Sequence, residues 1–337
     1  MWNIRAALAI AAVVALSFSG VLARADAAFL MEEPYGKFGA ISPTGHAAIY
    51  LDHICAESPT RLRLCQPDET GVVISRYRKI GGYDWLAIPV VPYFYAVEHL
   101  DEVPGEIDPA HLTELRNQYR RDHLMQYASD TPEHGEAPGD DWAQLIGASY
   151  IRTIYGFQIQ TTLDEDERII AKFNDRSNVS HFNLFFHNCA DFSRVLLNTY
   201  YPHAVHRNVI ADLGMTTPKQ VASSLTKYAK RHPELEFSTF MIPQVQGSTQ
   251  RSTGVRGVAE ALVKSKKYVV PLALLNPELT AGLVVTYLTE GRYELPKKPA
   301  KVLVPEEQNK KTANGVNKLA MSGGTRTLRP CKTGHDD

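Results

Sequence analysis

Two short patterns in this chain hold residue types that do chemistry together. The first, Gly45-His46-Ala47-Ala48-Ile49-Tyr50-Leu51, opens an apolar run with an imidazole. The second, Asn188-Cys189-Ala190-Asp191-Phe192, puts a thiol where a helix is expected to begin. Unpaired N–H groups and the positive end of the dipole at a helix start stabilise a thiolate and lower the cysteine pKa. A neighbouring imidazole completes the ion pair and later protonates the leaving group, and the same N–H groups hold an oxyanion. The chemistry expected of the pair is acyl transfer through a Cys189 thioester with His46 as base. Taken singly, each residue has a plainer reading: a cysteine near a helix start is more often an inert small apolar residue, and a histidine in an apolar strand a satisfied core residue.

These side chains need rigid elements to carry them. Ser42, Pro43 and Gly45 make a turn into a strand at His46–Leu51, and further strands are expected at 61–65, 71–77 and 85–91. Pro89 and Pro92 end the last one early or place it on an edge. Asp108-Pro109 opens a helix with an N-cap and a proline at its first position, and Leu112, Leu115 and Tyr119 follow at helical spacing. Residues 130–141 form an acidic loop. A second helix is expected at 164–173, its first turn acidic as the dipole prefers. Phe192, Val195 and Leu196 recur at i, i+3, i+4, so an amphipathic helix begins near Cys189.

A histidine strand followed later by a cysteine helix resembles the circularly permuted members of the NlpC/P60 papain-like superfamily. The lecithin–retinol acyltransferase-like proteins and several bacterial envelope proteins belong to that group. The Gly45–Leu51 segment is similar to their histidine strand, and Asn188-Cys189-Ala190-Asp191-Phe192 to their Asn-Cys-x-x-Phe helix start. The resemblance implies an α+β fold: a small antiparallel sheet packed on a Cys-bearing helix, in a domain over 26–242 with a helical insertion at about 100–175. It implies Cys189 as nucleophile, His46 as base, and a third polar residue to orient the imidazole. Asp52, Glu57, Glu69 and Ser75 are the candidates, with Ser75 first because it stands in the next expected strand. The implied activity is a cysteine-dependent hydrolase or acyltransferase acting on amide or ester bonds of a cell-envelope substrate, either a peptidoglycan peptide or a lipid, and it needs no cofactor. The alternative is a non-catalytic envelope binding protein on the same fold.

Composition bounds the rest. The 337 residues carry 36 Lys+Arg against 37 Asp+Glu and are 44% hydrophobic, ordinary for a globular protein and without the basic surplus of a nucleic-acid binder. Residues 1–25 read as a secretory signal: Arg5, an apolar run from Ala6 to Leu22, then Ala23-Arg24-Ala25 as a small-x-small cleavage site, with Ala25-Asp26-Ala27 as the second choice. The expected location is a bacterial periplasm or cell envelope. In an oxidising compartment Cys55 and Cys65, ten residues apart, are an expected disulfide. Neither CxxC nor Cys/His ligand spacing appears, so no metal site is expected. His187 reads as a loop residue beside the cysteine motif. Residues 243–294 are expected to hold a Gln/Ser/Thr/Gly-rich linker and then an apolar stretch at 268–288. That stretch offers membrane association, although Pro271, Pro277 and Glu278 favour a pair of packed apolar elements over a span. Residues 295–337 carry nine Lys/Arg and four Asp/Glu, a basic tail expected to be flexible.

Overall fold

An apolar run, Ala27 to Met31, lies at the heart of the strand around which the sheet is built. In the computed structural model, which describes residues 24–36, 43–78, 80–131, 137–138, 140–293 and 301–302, this is β1 (Arg24–Glu32). The chain continues through β2 (His46–Leu51), β3 (Ile54–Ser58), β4 (Arg61–Leu64), β5 (Val72–Ser75), β6 (Leu86–Pro89), α1 (Val90–Tyr95), β7 (Glu106–Ile107), α2 (Pro109–Tyr119) and β8 (Ile154–Thr162). Then come α3 (Leu163–Asn174), α4 (Cys189–Tyr200), α5 (Pro218–Ala229), β9 (Ser238–Ile242), β10 (Gln246–Gly247), α6 (Val258–Lys264), α7 (Lys266–Leu275), α8 (Pro277–Thr286) and β11 (Lys301–Val302). Most of the expected leader and tail, Cys331 included, lie outside the described residues.

Seven strands form one sheet in the order β11-β9-β8-β1-β2-β5-β6, antiparallel except for the β11–β9 pair. β1 is its middle. Its register runs from Ala27 opposite Leu51 to Glu32 opposite His46 on one side, and from Arg24 opposite Thr162 to Glu32 opposite Ile154 on the other. Side chains alternate across a strand, so β1 feeds two cores. Ala28 and Leu30 join Tyr93, Phe94, Tyr95 and Tyr150 on one face. Ala27, Phe29 and Met31 join Ile169, Phe192, Leu196, Val221 and Leu225 on the other. Helices thus cover both faces: α1 and α2 one, α3, α4 and α5 the second.

The expected small papain-like sheet packed on a single Cys-bearing helix is corrected by this arrangement. The sheet has seven strands between two helical layers, and the histidine strand is not its first element. Two of the cysteines stand not on a helix but at the β3–β4 hairpin, bridged as Cys55–Cys65 with Cα atoms 4.8 Å apart. The segment expected as a helical insertion contains β8, which is β1's second neighbour. Its sequence, Ile-Tyr-Gly-Phe-Gln-Ile-Gln-Thr-Thr, alternates as a strand should. The expected linker is likewise packed. Gln244 and Thr249 are buried and both donate to the Tyr150 carbonyl, and Ser252 donates to Glu33. Thr253 and Arg256 donate backbone N–H groups to Pro34 and Pro43. Residues 244–256 therefore form a strap tying the end of β9 to both ends of the β1–β2 connection.

Local chemistry explains the helix starts. Thr162 and Glu165 make a reciprocal capping box at α3, Asp108 caps α2 with Pro109 behind it, and Asn188 accepts from the Asp191 N–H at 2.9 Å to start α4. Such caps are each worth about 1 kcal/mol. The strand expected at 85–91 stops at Pro89, and Val90 begins α1.

Candidate functional site

His46 sits directly opposite Glu32 at the end of the β1–β2 ladder. Gly45 makes the approach: its φ is +75°, and a Cβ there would stand 2.1 Å from the Glu32 carbonyl oxygen. Ser75, from β5, places its Oγ 3.0 Å from His46 Nε2 and donates its own proton to the Ala47 carbonyl at 2.7 Å. A hydroxyl has one proton to give, so toward His46 it accepts, which assigns the imidazole proton to Nε2. The ring stacks on Tyr77, centroids 5.3 Å apart.

Behind the histidine lies a buried charged pair that neither motif announces. Arg152 donates to Glu32 at 2.7 Å, with the two side chains 4% and 1% exposed. Tyr93 donates its hydroxyl to the other Glu32 oxygen, and the Arg152 guanidinium lies over the Tyr35 ring at 4.6 Å. A buried carboxylate survives only when paired and hydrogen-bonded, and here both oxygens are taken. The only sequence signal for this pair is one acid closing an apolar strand and one arginine opening the approach to β8. Neither says that the two meet 120 positions apart.

Cys189 is the first residue of α4, partly buried, with its thiol facing the backbone N–H of Ala47. The capping residue Asn188 is anchored by donating to the Leu184 and Thr216 carbonyls, each at 3.0 Å. Asp191, in the first turn, accepts from Arg194, Arg207 and Thr216; burial pushes its carboxyl up, but the two arginines outweigh that and hold it below the usual range. The structure thus brings His46 and Ser75 into contact and sets the Cys189 thiol against the residue next to His46. Asp52 instead accepts from His53, Glu57 from Arg61, and Glu69 from Arg63. His187 closes a tight turn by exchanging backbone bonds with Asn183.

This geometry corrects the expected thiol hydrolase or acyltransferase. Of the three described cysteines, Cys55 and Cys65 are spent in a disulfide and offer no thiol. Burial pushes the remaining thiol, Cys189, up to about 11; the Ala47 N–H opposes that shift and Glu32 adds to it. Burial pushes His46 down to about 4. Both shifts run against the thiolate–imidazolium pair that the mechanism needs. Among the described residues the one tight group of metal-ligating types is Cys55, Cys65 and Glu69. Its sulfurs are bonded to each other and Glu69 is gripped by Arg63 through two 2.6 Å bonds, so it is no metal centre.

A second region stands out for the opposite reason. Helices α7 and α8 form an apolar hairpin in which the one buried side chain is Thr280. Leu274 and Leu275, at its tip, are 80% and 85% exposed, and Val270, Leu279, Val285 and Leu288 are also exposed. At the tip Asn276 accepts from the Leu279 N–H at 2.9 Å and from the Thr280 hydroxyl at 3.0 Å, and Glu278 beside it is exposed. Lys266 and Lys267 open α7, and Lys264, paired with Glu260 at 2.7 Å, stands just before it. Ala259 of α6 bonds the Ala211 carbonyl, tying the hairpin's base to a loop that exposes Val209, Ile210 and Leu213. Among the described residues, no helix is long and apolar enough to cross a membrane. Compared with known proteins, the chain matches no family model, no curated protein and no solved structure.

Proposed function

We propose that this is a binding protein that works at a lipid surface, docking through the α7–α8 hairpin. The observation that carries the reading is the hairpin itself, about twenty residues of mostly apolar helix, most of them exposed. Soluble monomers seldom leave so continuous an apolar surface open, and such patches mark docking sites. Each ten-residue helix is about 15 Å long, half of an apolar bilayer core, which suits shallow insertion. The internal capping at Asn276 favours lipid as the occupant, because backbone groups entering hydrocarbon must be satisfied from within. Charge favours an anionic surface: three lysines stand at the hairpin's base, and the tail beyond it carries nine basic residues against four acidic ones. The Cys55–Cys65 bridge supports an oxidising compartment outside the cytoplasm.

Sedimentation with vesicles tests this. The protein should co-sediment with phosphatidylcholine vesicles containing phosphatidylglycerol, more weakly with phosphatidylcholine alone, and less as salt rises. Leu274→Asp with Leu275→Asp should lower binding at least about tenfold, since each leucine withdrawn from lipid forfeits roughly 1.5–3 kcal/mol. A wild-type protein that stays in the supernatant, or a double variant that binds as well as wild type, overturns the reading. Self-association through the same leucines without vesicle binding overturns it too.

A further inference from the structure

A cleft of about 430 Å³ opens at the base of the hairpin, between α5, the 206–212 loop, the start of α6 and the turn that follows α8. Gln220, Ser223, Ser224 and Lys227 line it at i, i+3, i+4 and i+7, so one polar stripe of α5 faces the space. The start of α5, capped by Thr217, opens into it and brings the positive end of the helix dipole. Charge is arranged by depth. On the buried side Glu260 is bonded by two lysines, Lys219 and Lys264, and Asp212 accepts from the Val258 N–H and the Thr217 hydroxyl. Arg207 and Lys227 are exposed at the mouth. Arg207 shares Asp191 with Arg194, and Lys227 has no ion-pair partner among the described residues, so positive charge is to spare there. Glu290 is the one exposed acid of the lining.

Gln220 supplies the second demand. It is 8% exposed and its Nε2 donates to Ser224 at 3.0 Å, while its buried Oε1 has no partner among the described residues. Buried acceptors are rarely left so. The last torsion of a glutamine is soft, and a turn about it offers the oxygen to a donor in the cleft. We infer that the cleft binds a phosphorylated polyol of the glycerol phosphate class, with its phosphate against Lys227 and Arg207 and a free hydroxyl donating to Gln220 Oε1. A bare anion would leave Gln220 unpaired, and a neutral polyol would leave the cations at the mouth unmatched; one group carrying both functions meets both demands. As a lipid headgroup, this ligand rests on the docking reading. Val209 and Ile210, 71% and 57% exposed, border the mouth, and Ala259 in its wall ties the hairpin's base to Ala211. A lipid surface that takes the hairpin therefore also meets the cleft. Free glycerol 3-phosphate carries the same chemistry.

Isothermal titration calorimetry on the full chain, without lipid, tests the site. Glycerol 3-phosphate should bind at least about fivefold more tightly than inorganic phosphate, and glycerol should not bind. Lys227→Gln should weaken glycerol 3-phosphate at least about fivefold. Gln220→Met should reduce it to the affinity of inorganic phosphate without lowering the thermal midpoint, because the variant deletes an unpaired acceptor. A lower midpoint with glycerol 3-phosphate affinity intact makes Gln220 structural alone and overturns the inference. Vesicles separate the two sources: at equal negative charge, phosphatidylglycerol, whose headgroup is a phosphorylated glycerol, should capture the protein better than phosphatidylserine, and Gln220→Met should remove the difference. Calorimetric binding without that preference upholds the site and makes a free phosphorylated polyol its ligand. Glycerol 3-phosphate that does not bind, or binds no more tightly than inorganic phosphate, overturns the inference whatever the vesicles show. Failure of vesicle capture with calorimetric binding intact overturns the docking reading and leaves this site standing.

Discussion

Two regions of this molecule reverse the usual placement of side chains, and they do so in opposite ways. Around His46 the sheet encloses a carboxylate, a guanidinium, an imidazole and a serine. At the α7–α8 tip, leucines face outward. The buried polar centre is largely matched from within: Glu32 has Arg152 and Tyr93, and His46 has Ser75 and Tyr77. Arg152 Nε is the one atom of these groups left buried without a hydrogen-bond partner. In the hairpin Asn276 caps α8, but most side chains, the tip leucines above all, lie exposed, so their partner has to come from outside. Inversion inside the fold therefore reads as structure, and inversion on its surface reads as docking.

The sharpest way to break this comparison is to remove half of the buried pair. Arg152→Ala leaves Glu32 charged and uncompensated, and urea unfolding should show a loss of about 3–5 kcal/mol. Replacing both residues, Glu32→Leu with Arg152→Met, should cost markedly less; an equal cost would mean that the pair itself, rather than the orphaned charge, carries the stability. Next comes pH. His46 is pushed from 6.5 down to about 4 in the fold, so the unfolded chain binds its proton first. Its contribution is fully present above pH 6.5 and is lost as pH falls toward 4, by up to about 3 kcal/mol. Thermal midpoints of wild type and His46→Gln across that range should converge as pH falls. Removing the disulfide with Cys55→Ser and Cys65→Ser should cost about 2–3 kcal/mol by the chain-entropy argument, read as a lower urea midpoint. The smallest stability effect belongs to the hairpin: Leu274→Asp with Leu275→Asp should move unfolding by no more than about 0.5 kcal/mol while it abolishes vesicle capture. A large loss of stability there would mean that those leucines are covered by the protein itself.

Several elements were legible beforehand because a single local signal marks each. Asp108-Pro109 announced α2, the acidic turn before Ile169 announced α3, and Phe192 with Leu196 announced α4. The cysteine spacing pointed to the Cys55–Cys65 bridge. The middle of the sheet was not legible. β1 begins where an alanine-rich leader would be expected to end, so its first residues look like a cleavage site. β8 was hidden inside a region taken as helical, although Phe157 and Ile159 alternate with Gln158 and Gln160. The strap at 244–256 has the Gln/Ser/Thr composition of a linker, and only its bonds to Tyr150 and Glu33 show that it is packed. At the candidate site, the residue types pointed to His46, Ser75 and Cys189. What local sequence cannot carry is protonation state, which burial and Glu32 decide from a distance.

The position of β1 also sets an order of events. Its two neighbours are unequal in sequence: β2 follows within twenty residues, while β8 ends at Thr162. A chain emerging from its N-terminus can pair β1 with β2 early, but the other edge of the central strand stays open until some 130 further residues have appeared. The Glu32–Arg152 pair cannot close before then either. Non-local pairings of this kind fold slowly and leave an unpaired edge exposed while they wait. Productive folding of this protein is therefore gated by the arrival of β8, and a chain interrupted shortly before Ile154 should aggregate through β1 rather than settle into a smaller sheet.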